Sequence, residues 1–154
     1  MIRKANFSDI DDILKLLDLV HDVHVNIRED IFIKGITKYN KDELKVIIND
    51  PKRPIYVYVT DNKLIGYIFL IIEEETNASL VKRTEVYVDD LCVALEYQHQ
   101  GIATILMDYA YDFAKSINAY AITLNVWNGN DQAYLLYEKL GYKPRKTTME
   151  KIIK

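Results

Sequence analysis

Cysteine is almost absent from this chain. Cys92 stands alone among 154 residues, which excludes an internal disulfide framework and a zinc site built from several thiolates. A basic excess is missing too: 20 Lys and Arg face 23 Asp and Glu, a formal net charge of −3. The electrostatic footprint that nucleic acid demands is therefore absent. No apolar run approaches the ~20 residues of a membrane span; the longest, LIGYIFLII, is strand-sized. The N-terminus, MIRKANFSDIDDIL, carries acids where a signal peptide needs an apolar stretch. The expectation is a soluble, cytoplasmic protein that engages neither nucleic acid nor membrane. Internal repeats, linkers and low-complexity segments are lacking as well, so one domain over residues 1–154 is expected. What is present is an ordinary globular balance, 49% apolar and 28% charged. Twelve tyrosines fit a groove with polar-tipped walls and a tyrosine-rich core equally well.

The periodicity predicts a mixed α/β (α+β) domain with helices flanking a central sheet. MIRKA reads as a first strand. Ser8 is expected to cap a helix whose first turn carries Asp9, Asp11 and Asp12, with Ile10, Ile13, Leu14, Leu17 and Val20 recurring at helical spacing. NIREDIFIKGITKY lacks a period and reads as a loop. Asn40 and Glu43 form a capping-box start for a second helix that Pro51 and Pro54 end. IYVYVT and LIGYIFLIIEEE are strands around an Asp61-Asn62-Lys63 turn, the second apolar enough to be covered on both faces. TEVYVDDLCVAL is a further strand. A helix over 101–117 is expected to bury Ile102, Ile105, Leu106, Tyr109, Phe113 and Ile117. AYAITLNVW reads as a strand, DQAYLLYEKL as a helix stopped at Gly141, and YKPRKTTMEKII as a last strand or two.

QHQGIA, residues 98–103, joins a strand to a helix. The first amides of a helix have no partner within it, and the helix dipole adds partial positive charge there. Gly101 and Ala103 are small enough to let an anion approach the backbone. The loop alone is as readily a plain strand–helix connection. It is neither a Walker sequence nor a G-x-G-x-x-G fingerprint.

Together, Q-x-x-G-x-A at 98–103 and NDQAYLLYEKLGY at 130–142 resemble the paired motifs of the GCN5-related N-acetyltransferase (GNAT) superfamily. The resemblance implies transfer of acetyl from acetyl-CoA to a primary amine, either a small cationic amine or a protein or peptide amine. It implies direct transfer in a ternary complex, without a metal. Gln98, His99, Gln100, Gly101, Ile102, Ala103 and Thr104 match the turn that holds the pyrophosphate of coenzyme A. Leu91, Cys92 and Val93 match the strand that pairs with the pantetheine arm, and Asn130 matches an asparagine that touches the cofactor. Tyr137 matches the tyrosine that protonates the departing thiolate. Asp89 is the favoured general base and Asp90 its alternative, acting on the strand or anchoring the turn. Glu85 is an outside candidate acting through water. Neighbouring strand residues face opposite sides, so only one aspartate is expected to reach the site unless a bulge intervenes. Cys92 is read as a small core residue rather than a nucleophile. His21 and His24 are expected to edge the substrate groove or stay at the surface, with Arg28, Glu29 and Asp30 in a solvated loop. A homodimer is in keeping with such relatives. The remaining alternatives are a non-catalytic acyl-CoA-binding module of the same fold and a structural domain without a cofactor.

Overall fold

The computed structural model describes residues 1–154. Five strands form one sheet in sequence order: β1 (Ile2–Lys4), β2 (Ile55–Thr60), β3 (Lys63–Glu74), β4 (Thr84–Val93) and β5 (Ala121–Leu124). Neighbours are antiparallel from β1 to β4, whereas β5 runs parallel to β4. Helices α1 (Ile10–Ile27) and α2 (Lys41–Ile48) cover one face. Helices α3 (Ile102–Ser116) and α4 (Asp131–Lys139) belong to the other. The expected mixed sheet with flanking helices is observed.

β3 shows why its apolar residues come without a break. Tyr67 and Phe69 pack into the α1/α2 cluster, and Ile68 and Leu70 into the α3 cluster, so both faces are covered. Each such side chain taken fully out of water contributes about 1.5–3 kcal/mol. The β2–β3 hairpin closes through Asp61 and Asn62, both at positive φ (48° and 59°), which are residues that tolerate the left-handed region. The Asn40–Glu43 capping box forms as the sequence predicts.

Four expectations need correction. Ser8 does not cap α1. Asn6 instead caps a short 3-10 turn at Phe7–Asp9, and Asp9 closes the box by accepting from the Asn6 amide at 2.8 Å. Buried Asp9 also receives two bonds from Arg3, at 2.8 and 2.9 Å, which hold its carboxyl below its usual range. On α3, Ile105 and Tyr109 are exposed, and Met107, Ala110 and Ala114 take the inner face with Ile102 and Leu106. β5 stops at Leu124, well short of Trp127. Residues 143–154 form no strand. Their ties to the rest of the chain are the side-chain pairs Arg145–Glu85 and Arg28–Glu150. No helix is long and apolar enough to cross a membrane.

Candidate active site

The site begins where the sheet parts. β4 and β5 pair from Glu85–Ala121 to Val88–Leu124 and no further, while β4 continues to Val93 beside β3. From Asp89 onward, the β4 edge towards β5 therefore faces a gap. Residues of β4, the 125–130 loop, α4 and α1 line the resulting cleft, among them Asp89, Asp90, Trp127, Asn130, Tyr137 and His24.

A β-bulge sits at the mouth of this gap. Phe69 faces Asp90 and Leu70 faces Val88, so Asp89 is the extra residue on β4. The bulge cancels the strict alternation of the strand. Both aspartates turn to the α1/α2 side, where Asp89 meets Tyr39 and Asp90 meets Tyr67. Their surroundings differ. Asp89 Oδ2 accepts from the Tyr39 hydroxyl at 2.5 Å and Oδ1 from Lys38 Nζ at 3.0 Å. Asp90 accepts only neutral donors, the Leu91 amide at 2.9 Å and the Tyr67 hydroxyl at 3.2 Å. Loss of water around Asp90 dominates and pushes its pKa up to about 6.

The 98–104 turn leaves a helix N-terminus open. His99 and Gly101 both adopt positive φ, 62° and 84°. The amides of His99, Gln100, Gly101, Ile102, Ala103 and Thr104 donate to no acceptor in the protein. Successive free amides next to left-handed residues, reinforced by the α3 dipole, are a donor arrangement that suits an anion. A side chain on Gly101 would meet no atom within 4 Å and would project into open space. The side chains of the turn act elsewhere. Gln98 Nε2 donates to the Val93 carbonyl at 2.9 Å and braces the turn against β4, and Gln100 bonds back to Glu96 at 3.3 Å. His99 is exposed, with Gln132 at 3.5 Å.

Asn130 caps α4, its side chain accepting the Ala133 amide at 3.4 Å, and it also lines the cleft. Tyr137 lies about two turns on, edge-to-face with Tyr142 (centroids 6.1 Å apart). Burial and the Asp90 carboxylate push its pKa up to about 12. The phenol therefore stays protonated at neutral pH and faces a cleft that it shares with Asp90. Cys92 points away from the chemistry, its thiol donating to the Leu16 carbonyl at 3.4 Å inside the α1/α2 core. Burial raises that thiol to about 12, which denies it a nucleophilic thiolate. Glu85 is held by Arg145 and Arg83 and sits below its usual range, so its oxygens are committed to structure.

An aromatic wall closes the other end. Phe32 stacks on His24 (5.1 Å) and meets Trp127 edge-on (5.3 Å), and Arg28 lies over the Trp127 ring while pairing with Asp30 and Glu150. Desolvation lowers the His24 pKa. His21 turns to the Ile33 carbonyl at 2.6 Å. This wall joins the end of α1 and the loop after it to the remote Trp127.

Comparison with known proteins agrees with this architecture. The model of the acetyltransferase (GNAT) family matches residues 22–142. An N-alpha-acetyltransferase of Saccharolobus solfataricus is 30% identical over 148 residues, covering 92% of this chain and 79% of its own. Its counterpart in Sulfurisphaera tokodaii is 28% identical over the same shares. Among solved structures, a mutant of the BH1408 protein from Bacillus halodurans superposes with a TM-score of 0.95 at 28% identity, over 99% of both chains. An aminoglycoside acetyltransferase from an uncultured soil sample shares the fold at 17% identity, with a TM-score of 0.75 over 100% of this chain and 96% of its own. The chain belongs to the acetyltransferase (GNAT) family. It is an N-acetyltransferase.

Proposed function

We propose that the chain moves acetyl from acetyl-CoA to the α-amine of a peptide or protein by direct transfer in a ternary complex. The observation that carries this reading is a cleft lined by Asp90, Asn130 and Tyr137, with six unpartnered amides, residues 99–104, on the turn that follows the same strand β4. Acetyl-CoA supplies an activated thioester, and the donor set suits its anionic end. The amides of residues 99–104 would hold the pyrophosphate, and the open edge at Leu91, Cys92 and Val93 would take an extended arm as an added strand. Asn130 would contact that arm from the first turn of α4.

Asp90, rather than Asp89, is our candidate base. No cation hydrogen-bonds to it, and its pKa of about 6 keeps it ionised yet basic at neutral pH. It would accept the proton that the attacking nitrogen loses. Tyr137 would donate its O–H proton to the departing sulfur. Buried Cys92 supports direct transfer over an acetylated thiol.

Two observations favour an α-amine among amines. A base at about 6 lies within about two units of a peptide α-amine (~7.7–8.0) but more than four from a lysine (~10.4). The archaeal relatives named N-alpha-acetyltransferases match over 92% of this chain. Thiol release from acetyl-CoA, measured over peptides, polyamines and aminoglycosides, tests the reading. Turnover with free-N-terminal peptides is expected. Tight acetyl-CoA binding with no turnover on any amine would favour a binding module instead.

A further inference from the structure

We infer that Tyr39, held by Arg53 and assisted by Lys38, clamps Asp89 so that the β4 bulge turns Asp90 into the cleft. The inference rests on the proposed role of Asp90 and assigns Tyr39 as a positioning residue. Asp89 has no partner across the β3–β4 ladder, so strand pairing leaves it unanchored. The clamp supplies the anchor from two loops. Tyr39 precedes α2 and donates its hydroxyl to Asp89 Oδ2 at 2.5 Å. Lys38 Nζ bonds both Asp89 Oδ1, at 3.0 Å, and the Asp89 carbonyl, at 2.8 Å. Arg53 precedes β2 and donates to the Tyr39 hydroxyl at 2.8 Å.

The aromatic ring ties the clamp to the other strand of the bulge. Tyr39 stacks on Phe69, with centroids 5.8 Å apart and planes 7° from parallel, and Phe69 is the residue facing Asp90. Lys38 and Arg53 both approach the ring, at 5.7 and 5.3 Å. The network is an uneconomical way to hold a loop. Arg53 Nε is buried without a partner, a burden that packing alone would not select. Fixing a reactive carboxyl to a narrow range of positions is a purpose that matches it.

The charged and titratable groups around Asp90 come from every wall of the cleft. They are Lys38 from the loop before α2, Tyr67 from β3, Asp89 and Cys92 from β4, Tyr137 from α4 and His24 from α1. Lys38 is the cation among them that favours the Asp90 carboxylate.

Tyr39→Phe tests the clamp, because it deletes the hydroxyl and keeps the ring on Phe69. Two readouts are taken: the Asp90 titration by carboxyl 13C NMR in the free protein, and kcat and KM for a peptide amine. The midpoint is expected to rise by roughly half a pH unit or more as the lysine loses its seat. The rate constant kcat is expected to fall about tenfold, with acetyl-CoA affinity within about twofold of the unaltered enzyme. Lys38→Met, at an exposed side chain, should raise the midpoint in the same direction and serves if Tyr39→Phe does not fold. A lower melting temperature with an unmoved Asp90 midpoint and unchanged kcat would make Tyr39 structural only and overturn the inference, as would an unmoved midpoint in Lys38→Met. The titration needs no turnover. An inactive unaltered enzyme would sink the proposed function, while the NMR midpoints would still decide the clamp.

Discussion

Asp90→Asn should make the protein more stable and less active, and the two effects should appear over the same pH range. Asp90 is raised from 3.8 to about 6 by desolvation. In the unfolded chain it ionises near its ordinary value, so between pH 4 and 6 the folded state binds more protons than the unfolded one. Stability therefore falls as pH rises through that window, and the loss is complete above it. The full difference corresponds to about 3 kcal/mol at neutral pH, and water entering the cleft mouth trims it to about 2 kcal/mol. Asparagine carries no charge to desolvate. Its Oδ1 keeps the bond from the Leu91 amide, and its Nδ2 can donate to the Tyr67 oxygen. At pH 8 the variant should melt roughly 4–8 °C higher for a chain of this length. Near pH 3.5 the two proteins should converge. The limb of kcat/KM near pH 6 should vanish in the variant, with turnover reduced about 10²-fold or more. Calorimetry across pH and steady-state kinetics read both effects. An Asn variant that melts lower than the unaltered protein at pH 8, or that keeps the limb, would refute the argument.

Tyr137→Phe should lower kcat about 10²-fold while leaving acetyl-CoA affinity nearly unchanged, checked by kinetics and calorimetric titration. With Tyr137 raised to about 12, kcat of the unaltered enzyme should show no alkaline fall up to about pH 10, and an earlier fall would dismiss it as the acid. Gly101→Val forces a β-branched residue to φ 84° and should distort the turn that presents the free amides, at a cost of about 1–2 kcal/mol in stability. The far-UV dichroism should survive while coenzyme A binding weakens at least about tenfold; unchanged affinity would remove the turn from phosphate binding. Cys92 should resist thiol reagents in the folded protein and react once unfolded, because burial lifts it to about 12. Rapid labelling of the native state would reopen a covalent route.

Much of the frame was legible because it depends on local rules. The Asn40–Glu43 box, the Asp61–Asn62 turn and the stop at Gly141 each need only a few adjacent residues. Misreadings arose where tertiary contacts compete. Helical spacing alone puts Ile105 and Tyr109 on the buried face of α3 with Ile102 and Leu106, but Ala110 and Ala114 let the helix lie close on the sheet along a shifted face. Asn6 displaced Ser8 because Arg3 fixes Asp9 one turn earlier. In the candidate site, the motif pair picked out the turn, whose amides are free, and Tyr137, which lines the cleft. The contrast in surroundings between Asp89 and Asp90 was not legible. It is set by Lys38, Tyr39 and Arg53, which lie far from both in sequence. His24 does line the cleft, as one of its two expected placements had it, but its partnership through Phe32 with Trp127 was hidden because Trp127 lies about a hundred residues away in sequence.

The most direct test is a competition within one molecule. A peptide with a free N-terminus and an internal lysine is incubated with acetyl-CoA and the enzyme, and the acetylated position is read by tandem mass spectrometry. We expect acetyl on the α-amine, formed without any acetylated intermediate of the enzyme. Acetyl on the lysine side chain alone, or on Cys92, would contradict it.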